Sequence, residues 1–184
     1  MKKSRRHQIL EVLADELESK PGSRITTAAL AASVGVSEAA LYRHFTDKAG
    51  MFEALIEFAE SSIFGLLNQV MNEQKDAYTR CLHMTTAVLK FSERNPGIAR
   101  ILVGDILLGE HGRLRRRVFQ FFARIETQFR QALRESALVE ENTLPADLIG
   151  PMSTLLLTIV TGRLDRFVRS DFTELPTTGL QVQW

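Results

Sequence analysis

The chain has 184 residues, of which 45% are hydrophobic and 24% are charged, a composition that fits one or at most two soluble domains with a sizeable core. The net charge of +1 does not mark a strong polyanion binder, and the single cysteine, Cys81, excludes an internal disulfide and fits a reducing cytoplasm. No apolar run is long enough to span a membrane, and no apolar segment follows the basic N-terminus, so we expect neither a membrane protein nor a secretion signal.

The basic charge is concentrated near the N-terminus. Residues 1–50 hold eight Lys/Arg and six Asp/Glu, a net charge of +2, whereas the remainder of the chain carries −1. Four of these cations lie within the first six residues and form a basic arm that leads into the first predicted helix: Lys2, Lys3, Arg5 and Arg6. This arm is either a frayed, solvated terminus or a contact to DNA phosphates or the minor groove.

Few β-branched runs and a repeated helical spacing of apolar residues predict an all-α protein. The first helix is expected over residues 4–19, where Ile9, Leu13 and Leu17 recur on one face, and Pro21-Gly22 ends it.

The segment from Thr26 to Phe45 has the pattern of two short helices around a tight turn. Thr26 or Thr27 can cap the first helix, since a threonine hydroxyl accepts a hydrogen bond from a free N–H of the opening turn. Gly35 ends this helix because glycine adopts a left-handed conformation at little cost. Val36 is expected to be buried beside the turn.

The second helix is predicted to begin after a Ser37 cap and to continue to Phe45, with Leu41 and Phe45 on one face. This arrangement indicates a helix-turn-helix, whose second helix enters the DNA major groove. The alternative is an ordinary helical hairpin. For His44 the alternative to a phosphate contact is a packed, neutral side chain.

The side chains expected to contact DNA lie off the buried stripe or at helix N-termini. Arg43 can bond a guanine edge with two hydrogen bonds or contact a phosphate. The full set of predicted DNA-binding residues is Thr26, Thr27, Ser37, Ala39, Ala40, Tyr42, Arg43, His44 and Lys48.

Two further helices are predicted over residues 47–72 and 76–93. The first is long enough to link the helix-turn-helix to the rest of the chain. In the second, Cys81 is most simply a small buried hydrophobe, and His83 has no partner at metal-ligand spacing. Asn95 can cap a short helix that begins at Pro96.

A helix predicted over residues 113–135 begins with Arg113, Arg115, Arg116 and Arg117. Cations at a helix N-terminus oppose the helix dipole. They are either a solvated face balanced by Asp105 and Glu110 or a contact to an anion or acidic partner.

The last helix is predicted over residues 145–170, and Pro151 should kink or restart it. This helix is apolar on more than one face, and with the phenylalanine-rich helix before it, it predicts a four-helix dimer interface. The residues expected there are Phe121, Phe122, Leu155, Ile159 and Gly162. The tail from residue 171 to 184 is expected to be irregular, and whether Trp184 packs back stays open.

No catalytic constellation is present in the sequence. The four histidines are scattered, and there is no phosphate-binding glycine loop, GxSxG or CxxC motif. We therefore expect a protein that is not an enzyme and that uses neither a cofactor nor a metal.

The run from Leu41 to Lys48, LYRHFTDK, resembles the end of the recognition helix in the TetR family. That resemblance implies a homodimer that binds palindromic DNA sites. It also implies a helix-turn-helix DNA-binding domain at residues 1–48 and a helical dimerisation and partner-binding domain at residues 49–184.

A longer resemblance, to the nucleoid occlusion branch of this family, is carried by residues 24–58, by the ERNPG element at 93–97, by residues 100–102 and by RLDRFVRSDF at 163–172. It implies a cytoplasmic, nucleoid-associated protein that binds FtsZ, the tubulin-like division GTPase, and disrupts its filaments over the chromosome. The implied FtsZ-binding residues are Phe58, Arg94 and Asn95, and the implied ligand is the acidic C-terminal tail of FtsZ.

The match at the implied FtsZ surface is incomplete. Leu66 stands where the resemblance leads us to expect a cation, and Lys90 where we expect a small residue. Arg94 also has an alternative role, in which a cation at a helix C-terminus satisfies the last carbonyls.

Three functions therefore stay open. The first is a DNA-dependent antagonist of FtsZ assembly, and the second is a ligand-responsive transcriptional repressor of the same fold. Because the predicted body offers mainly aliphatic and phenylalanine side chains, no polar ligand is indicated, while an apolar ligand stays possible. The third is an architectural DNA-binding protein with no protein partner.

Overall fold

The computed structural model describes residues 4–20, 25–104, 112–136 and 144–184, and within these ranges the chain contains helices and turns but no β-strand. The all-α fold class is thereby confirmed. The helices are α1 (Arg5–Ser19), α2 (Thr27–Val34), α3 (Glu38–Tyr42), α4 (Lys48–Glu73), α5 (Ala77–Arg94), α6 (Pro96–Val103), α7 (Gly112–Ser136), α8 (Ala146–Arg169) and α9 (Leu180–Gln183).

The chain divides into two compact units. Unit 1 comprises Met1–Ala59 and Asn95–Val118, and unit 2 comprises Glu60–Arg94 and Phe119–Trp184. Helices α4 and α7 each contribute to both units. The predicted domain boundary after residue 48 separates the DNA-binding helices from the rest of the chain by function, whereas the two units are defined by compactness. The predicted boundary therefore stays a prediction.

Side-chain caps form at the first three helices; those at Thr26 and Ser37 were predicted, and the cap at Ser4 was not. The Ser4 and Thr26 hydroxyls accept hydrogen bonds from the backbone N–H groups of His7 and Ala29, at 3.2 Å in both cases. Gly35 adopts φ +75°, and Ser37 accepts from Ala40 N–H at 3.3 Å.

Two details of the helix-turn-helix prediction are wrong. Helix α3 ends at Tyr42 rather than at Phe45, because the N–H of His44 turns to the carbonyl of Leu41 and tightens the last turn. Val36 is only half-buried. Leu41 and Phe45 are both buried, as expected.

In unit 1, helix α6 packs closely across α1. The contact occurs at Gly97, where a Cβ atom would lie 2.2 Å from the carbonyl oxygen of Ala14. Arg100, only 1% exposed, donates to the carbonyls of Leu17 and Lys20 at 2.7 and 3.0 Å. A buried arginine therefore satisfies the C-terminal end of α1.

In unit 2, α5 packs against α8, and a second buried arginine joins three helices. Arg80 donates to the carbonyls of Met71 and Gln74 at 3.0 and 2.9 Å and to Glu135 of α7 at 3.0 Å. Cys81 is buried, and this burial raises the pKa of its thiol to about 12. The prediction of Cys81 as a small core residue is confirmed.

The C-terminal part of the chain is more regular than predicted. Helix α8 continues through Pro151 without a restart. The tail is not irregular, because turns lead into α9, where Leu180 is buried. The ring of Trp184 packs edge-on against Tyr78, with centroids 6.3 Å apart.

Candidate DNA-binding and partner-binding sites

The helix-turn-helix is held by hydrogen bonds between its own elements. The Thr27 hydroxyl donates to Glu38 at 2.7 Å and links the starts of α2 and α3. The Ser33 hydroxyl donates to Glu16 at 2.8 Å and ties α2 to α1. Two residues predicted to contact DNA, Thr26 and Thr27, therefore also shape the motif.

The end of α3 presents an exposed polar surface. Tyr42 is 47% exposed, and Arg43 and His44 are also exposed. The alternative of a packed His44 is therefore wrong. The guanidinium of Arg43 makes no hydrogen bond or ion pair with the residues that the structure describes, so its donors are available to a nucleic acid.

The remaining predicted DNA-binding residues lie around this surface. Ala39 is exposed and Ala40 is half-buried. The half-buried Lys48 opens α4, and its ammonium lies 5.3 Å from the centre of the Phe52 ring. Their contact to DNA stays a prediction.

Of the basic arm, Lys2 and Lys3 lie outside the described residues. Arg5 donates to Gln8 at 3.0 Å, and the guanidinium of Arg6 lies 5.0 Å from the centre of the Phe45 ring. This stacking fixes the start of α1 beside the end of the helix-turn-helix.

A groove of about 270 Å³ lies between α4 and α5 in unit 2. Its lining includes Leu66, which stands where the resemblance leads us to expect a cation and is 42% exposed. Val70, Glu73 and His83 also line the groove. Lys90 lies further along α5 and is exposed. Apolar and polar side chains both line this groove, which suits an amphipathic segment.

The three residues implied in FtsZ binding are all at least partly accessible. Phe58, in unit 1, is 47% exposed, and Arg94, the last residue of α5, is also exposed. Arg94 makes no hydrogen bond to a carbonyl within the described ranges, which speaks against the capping alternative. Asn95 occupies the N-cap position of α6, but its side chain makes no capping hydrogen bond, so the predicted side-chain cap is wrong.

The predicted dimer residues differ in accessibility. Phe121 is fully buried within the protomer, with its ring centroid 5.8 Å from that of Phe64, and can only support an interface from beneath. Phe122 and Ile159 are half-buried, Leu155 is 52% exposed, and Gly162 is exposed. The interface itself stays a prediction.

The arginine cluster at the start of α7 includes an ion pair that the sequence did not indicate. Arg113 contacts Glu53 of α4, with Nε and Oε1 2.5 Å apart. Arg115 and Arg116 are exposed. The acidic residues expected to balance the cluster, Asp105 and Glu110, lie outside the described residues.

The arginines that organise the fold were not found from the sequence. Arg80, Arg100 and Arg163 each donate to backbone carbonyls outside their own helix. These carbonyls lie between 6 and 83 residues away in the sequence. Their only sequence signal is a cation within an otherwise apolar face, which also occurs at exposed positions.

Among the described residues, no group of three or more His, Cys, Asp or Glu side chains could hold a metal ion. No helix in the same ranges is long and apolar enough to cross a membrane.

Two family models match the chain. Residues 9–55 match the model of bacterial regulatory proteins of the tetR family, and residues 75–184 match an SlmA-like model described as the tetracyclin repressor-like C-terminal domain.

Solved structures share the fold. PfmR, a TetR family regulator from Thermus thermophilus, has a TM-score of 0.70 at 20% identity and covers 99% of this chain and 92% of its own. FadR from Bacillus subtilis, solved with stearoyl-CoA, has a TM-score of 0.72 at 12% identity, covering 96% and 94%.

The curated relatives are much more similar. The nucleoid occlusion factor SlmA of Shewanella woodyi is 53% identical over 181 residues, covering 98% of this chain and 91% of the relative. SlmA of Alteromonas mediterranea is 52% identical over 183 residues, covering 100% and 93%. The chain therefore belongs to the TetR family and, within it, to the nucleoid occlusion factors named SlmA.

Proposed function

We propose that the protein is a nucleoid occlusion factor: a sequence-specific DNA-binding homodimer that binds FtsZ and antagonises Z-ring assembly over the chromosome. The observation that carries this proposal is about half identity, over nearly the full chain, to relatives that are named nucleoid occlusion factors. The proposed location is the cytoplasm, in association with the nucleoid.

The DNA-binding part of the proposal is supported by the exposed end of α3. A two-fold dimer carries this motif twice, so palindromic sites are its natural targets. Arg43 supplies free donors for a base edge, and the N-terminal turns of α2 and α4 supply N–H groups for phosphates.

The FtsZ-binding part is supported by accessible side chains in each of the two units, taken separately. Arg94 offers an accessible guanidinium to an acidic segment, and a guanidinium can bind a carboxylate with two hydrogen bonds. Phe58 and the groove beside Leu66 offer apolar surface. An acidic peptide with apolar side chains is therefore the expected partner.

The proposal is tested by FtsZ assembly. Purified FtsZ with GTP is followed by light scattering, with the protein added alone, with palindromic DNA selected from a random pool, and with scrambled DNA. We expect the protein with selected DNA to reduce scattering most and Arg94→Ala to abolish the effect while it binds the same DNA. Unchanged scattering with every addition contradicts the FtsZ part and favours an architectural DNA-binding protein.

The second candidate function is a ligand-responsive repressor. One observation favours it: the Thr85 hydroxyl is fully buried and lacks a hydrogen-bond partner within the described part of the chain. A ligand that reached it would supply a partner. This function predicts that an apolar metabolite raises the unfolding temperature of the protein and releases it from DNA, with no effect on FtsZ.

A further inference from the structure

Arg163 of α8 holds the middle of the C-terminal tail, and Arg166 of the same helix pairs with Glu174 nearby. The guanidinium of Arg163, on α8, donates to the carbonyls of Pro176 and Thr178 at 2.6 and 3.1 Å. Pro176 and Leu180 are both buried, so the tail packs against the rest of unit 2 and does not extend into solvent. The residue between the two bonded carbonyls, Thr177, is therefore held in place from both sides.

Thr177 contacts the end of α5. Its hydroxyl donates to Oε2 of Glu93 at 2.6 Å, across 84 residues of sequence, and both side chains are half-buried. A hydrogen bond to a carboxylate is stronger than one between neutral groups. Because Glu93 lies in the last turn of α5, where a negative charge opposes the helix dipole, the hydroxyl offsets an unfavourable placement.

This contact lies next to the proposed FtsZ-binding arginine. Arg94 directly follows Glu93 and is the last residue of α5, in a turn whose carbonyls lack intrahelical donors. If only a fraction of molecules has this turn formed, the apparent affinity of any ligand of Arg94 falls by that fraction. Holding Glu93 therefore maintains the binding-competent position of Arg94.

We propose that Arg163, Thr177 and Glu93 form a clamp that fixes the last turn of α5 and presents Arg94 to an acidic partner peptide. This inference rests on the proposed function, in which Arg94 contacts FtsZ. Arg163 and Thr177 are positioning residues: they act through the end of α5 and need not touch the peptide.

The clamp is tested with a fluorescent FtsZ C-terminal peptide and three variants. Thr177→Val keeps the side-chain shape but removes the hydroxyl, and we expect it to weaken peptide binding about three- to tenfold. Thr177→Ser keeps the hydroxyl and should bind within about twofold of the wild type. The matched control is Thr127→Val, since the Thr127 hydroxyl bonds only the carbonyl of Ala123 in its own helix. DNA affinity should be unchanged in all three.

Hydrogen exchange gives a second readout that needs no partner. The amides in the last turn of α5 should exchange faster in Thr177→Val than in the wild type and at the wild-type rate in Thr177→Ser. If the valine variant does not fold, Thr177→Ala takes its place.

The outcomes separate the clamp from the function on which it rests. Wild-type peptide affinity in Thr177→Val, or no recovery in Thr177→Ser, overturns the clamp. If the wild-type protein binds no peptide, the FtsZ proposal fails. Exchange at the end of α5 then decides the clamp by itself, and an unchanged rate in Thr177→Val overturns it.

Discussion

Gly97→Ala should destabilise the protein strongly, because α6 crosses α1 at this residue. A Cβ atom at position 97 would lie 2.2 Å from the carbonyl oxygen of Ala14 and 3.0 Å from Cβ of Leu17. A close carbon–oxygen contact is about 3.3 Å. The two helices would therefore have to separate by roughly 1 Å along a buried seam.

The magnitude follows from what the added methyl group meets. Overpacking a core typically costs about 1–3 kcal/mol. Here the nearest atom belongs to the backbone, so no rotamer change of a neighbour relieves the clash. We expect a loss near the upper end, about 3 kcal/mol, which lowers the melting temperature of a chain of this size by about 6–12 °C.

The assay is thermal unfolding followed by far-UV circular dichroism at one fixed protein concentration, since dimerisation also contributes to stability. The matched control is Gly65→Ala in α4, where an added Cβ meets no atom within 4 Å. Removing an exposed helical glycine should stabilise by up to about 1 kcal/mol. Equal melting temperatures for Gly97→Ala and the wild type would refute the packing argument.

Three further predictions concern DNA, the dimer and pH. Arg43→Ala should reduce discrimination between specific and random DNA by about 1–3 kcal/mol in competition binding, whereas an equal loss on both would show that Arg43 contacts phosphate. Ile159→Asp should halve the sedimentation mass, because a charge would be buried in the proposed interface; an unchanged mass removes α8 from it. The backbone N–H of Thr79, 2.8 Å from Asp76, holds the pKa of that carboxyl below its usual 3.8. This hydrogen bond caps the start of α5 and stabilises the protein above about pH 4; the stabilisation is lost as the pH falls through the lowered pKa, so Asp76→Ala should cost about 1 kcal/mol in urea unfolding at pH 7 and less at pH 2. An equal cost at both pH values would contradict the capping role.

The head of the protein could be predicted closely because its signals are local. The caps at Thr26 and Ser37 and the left-handed Gly35 depend on residues within one helical turn. The sequence did not predict the early end of α3. The carbonyl of Leu41 accepts from the N–H groups of both His44 and Phe45, and residue type does not decide between two such nearly equal hydrogen bonds.

The long-range contacts could not be predicted. Nothing in the spacing around Gly97 shows that another helix approaches it. The ERNPG element indicated a helix start and a resemblance, but no contact with α1. The tail has the residue types of a loop, and its order comes from Arg163 and from burial of Leu180. Phe121 matched the apolar pattern of an interface, but periodicity does not separate the protomer's own core from a surface between protomers.

The candidate sites divide in the same way. Exposure of Tyr42, Arg43 and His44 followed from the helical stripe of Leu41 and Phe45. The FtsZ surface rested on resemblance alone. No sequence pattern connected Arg94 with the tail that contacts its neighbour Glu93.

The most direct test of the central claim is fluorescence anisotropy of a labelled FtsZ C-terminal peptide, titrated with the wild-type protein, with Arg94→Ala and with Arg134→Ala. Arg134 is an exposed arginine in the last turn of α7 and serves as a control for nonspecific loss of charge. We expect saturable binding that Arg94→Ala weakens at least about tenfold, a loss of about 1.4 kcal/mol, and that Arg134→Ala leaves unchanged. No saturable binding to the wild-type protein, with or without its DNA site, would contradict the proposal that this protein binds FtsZ.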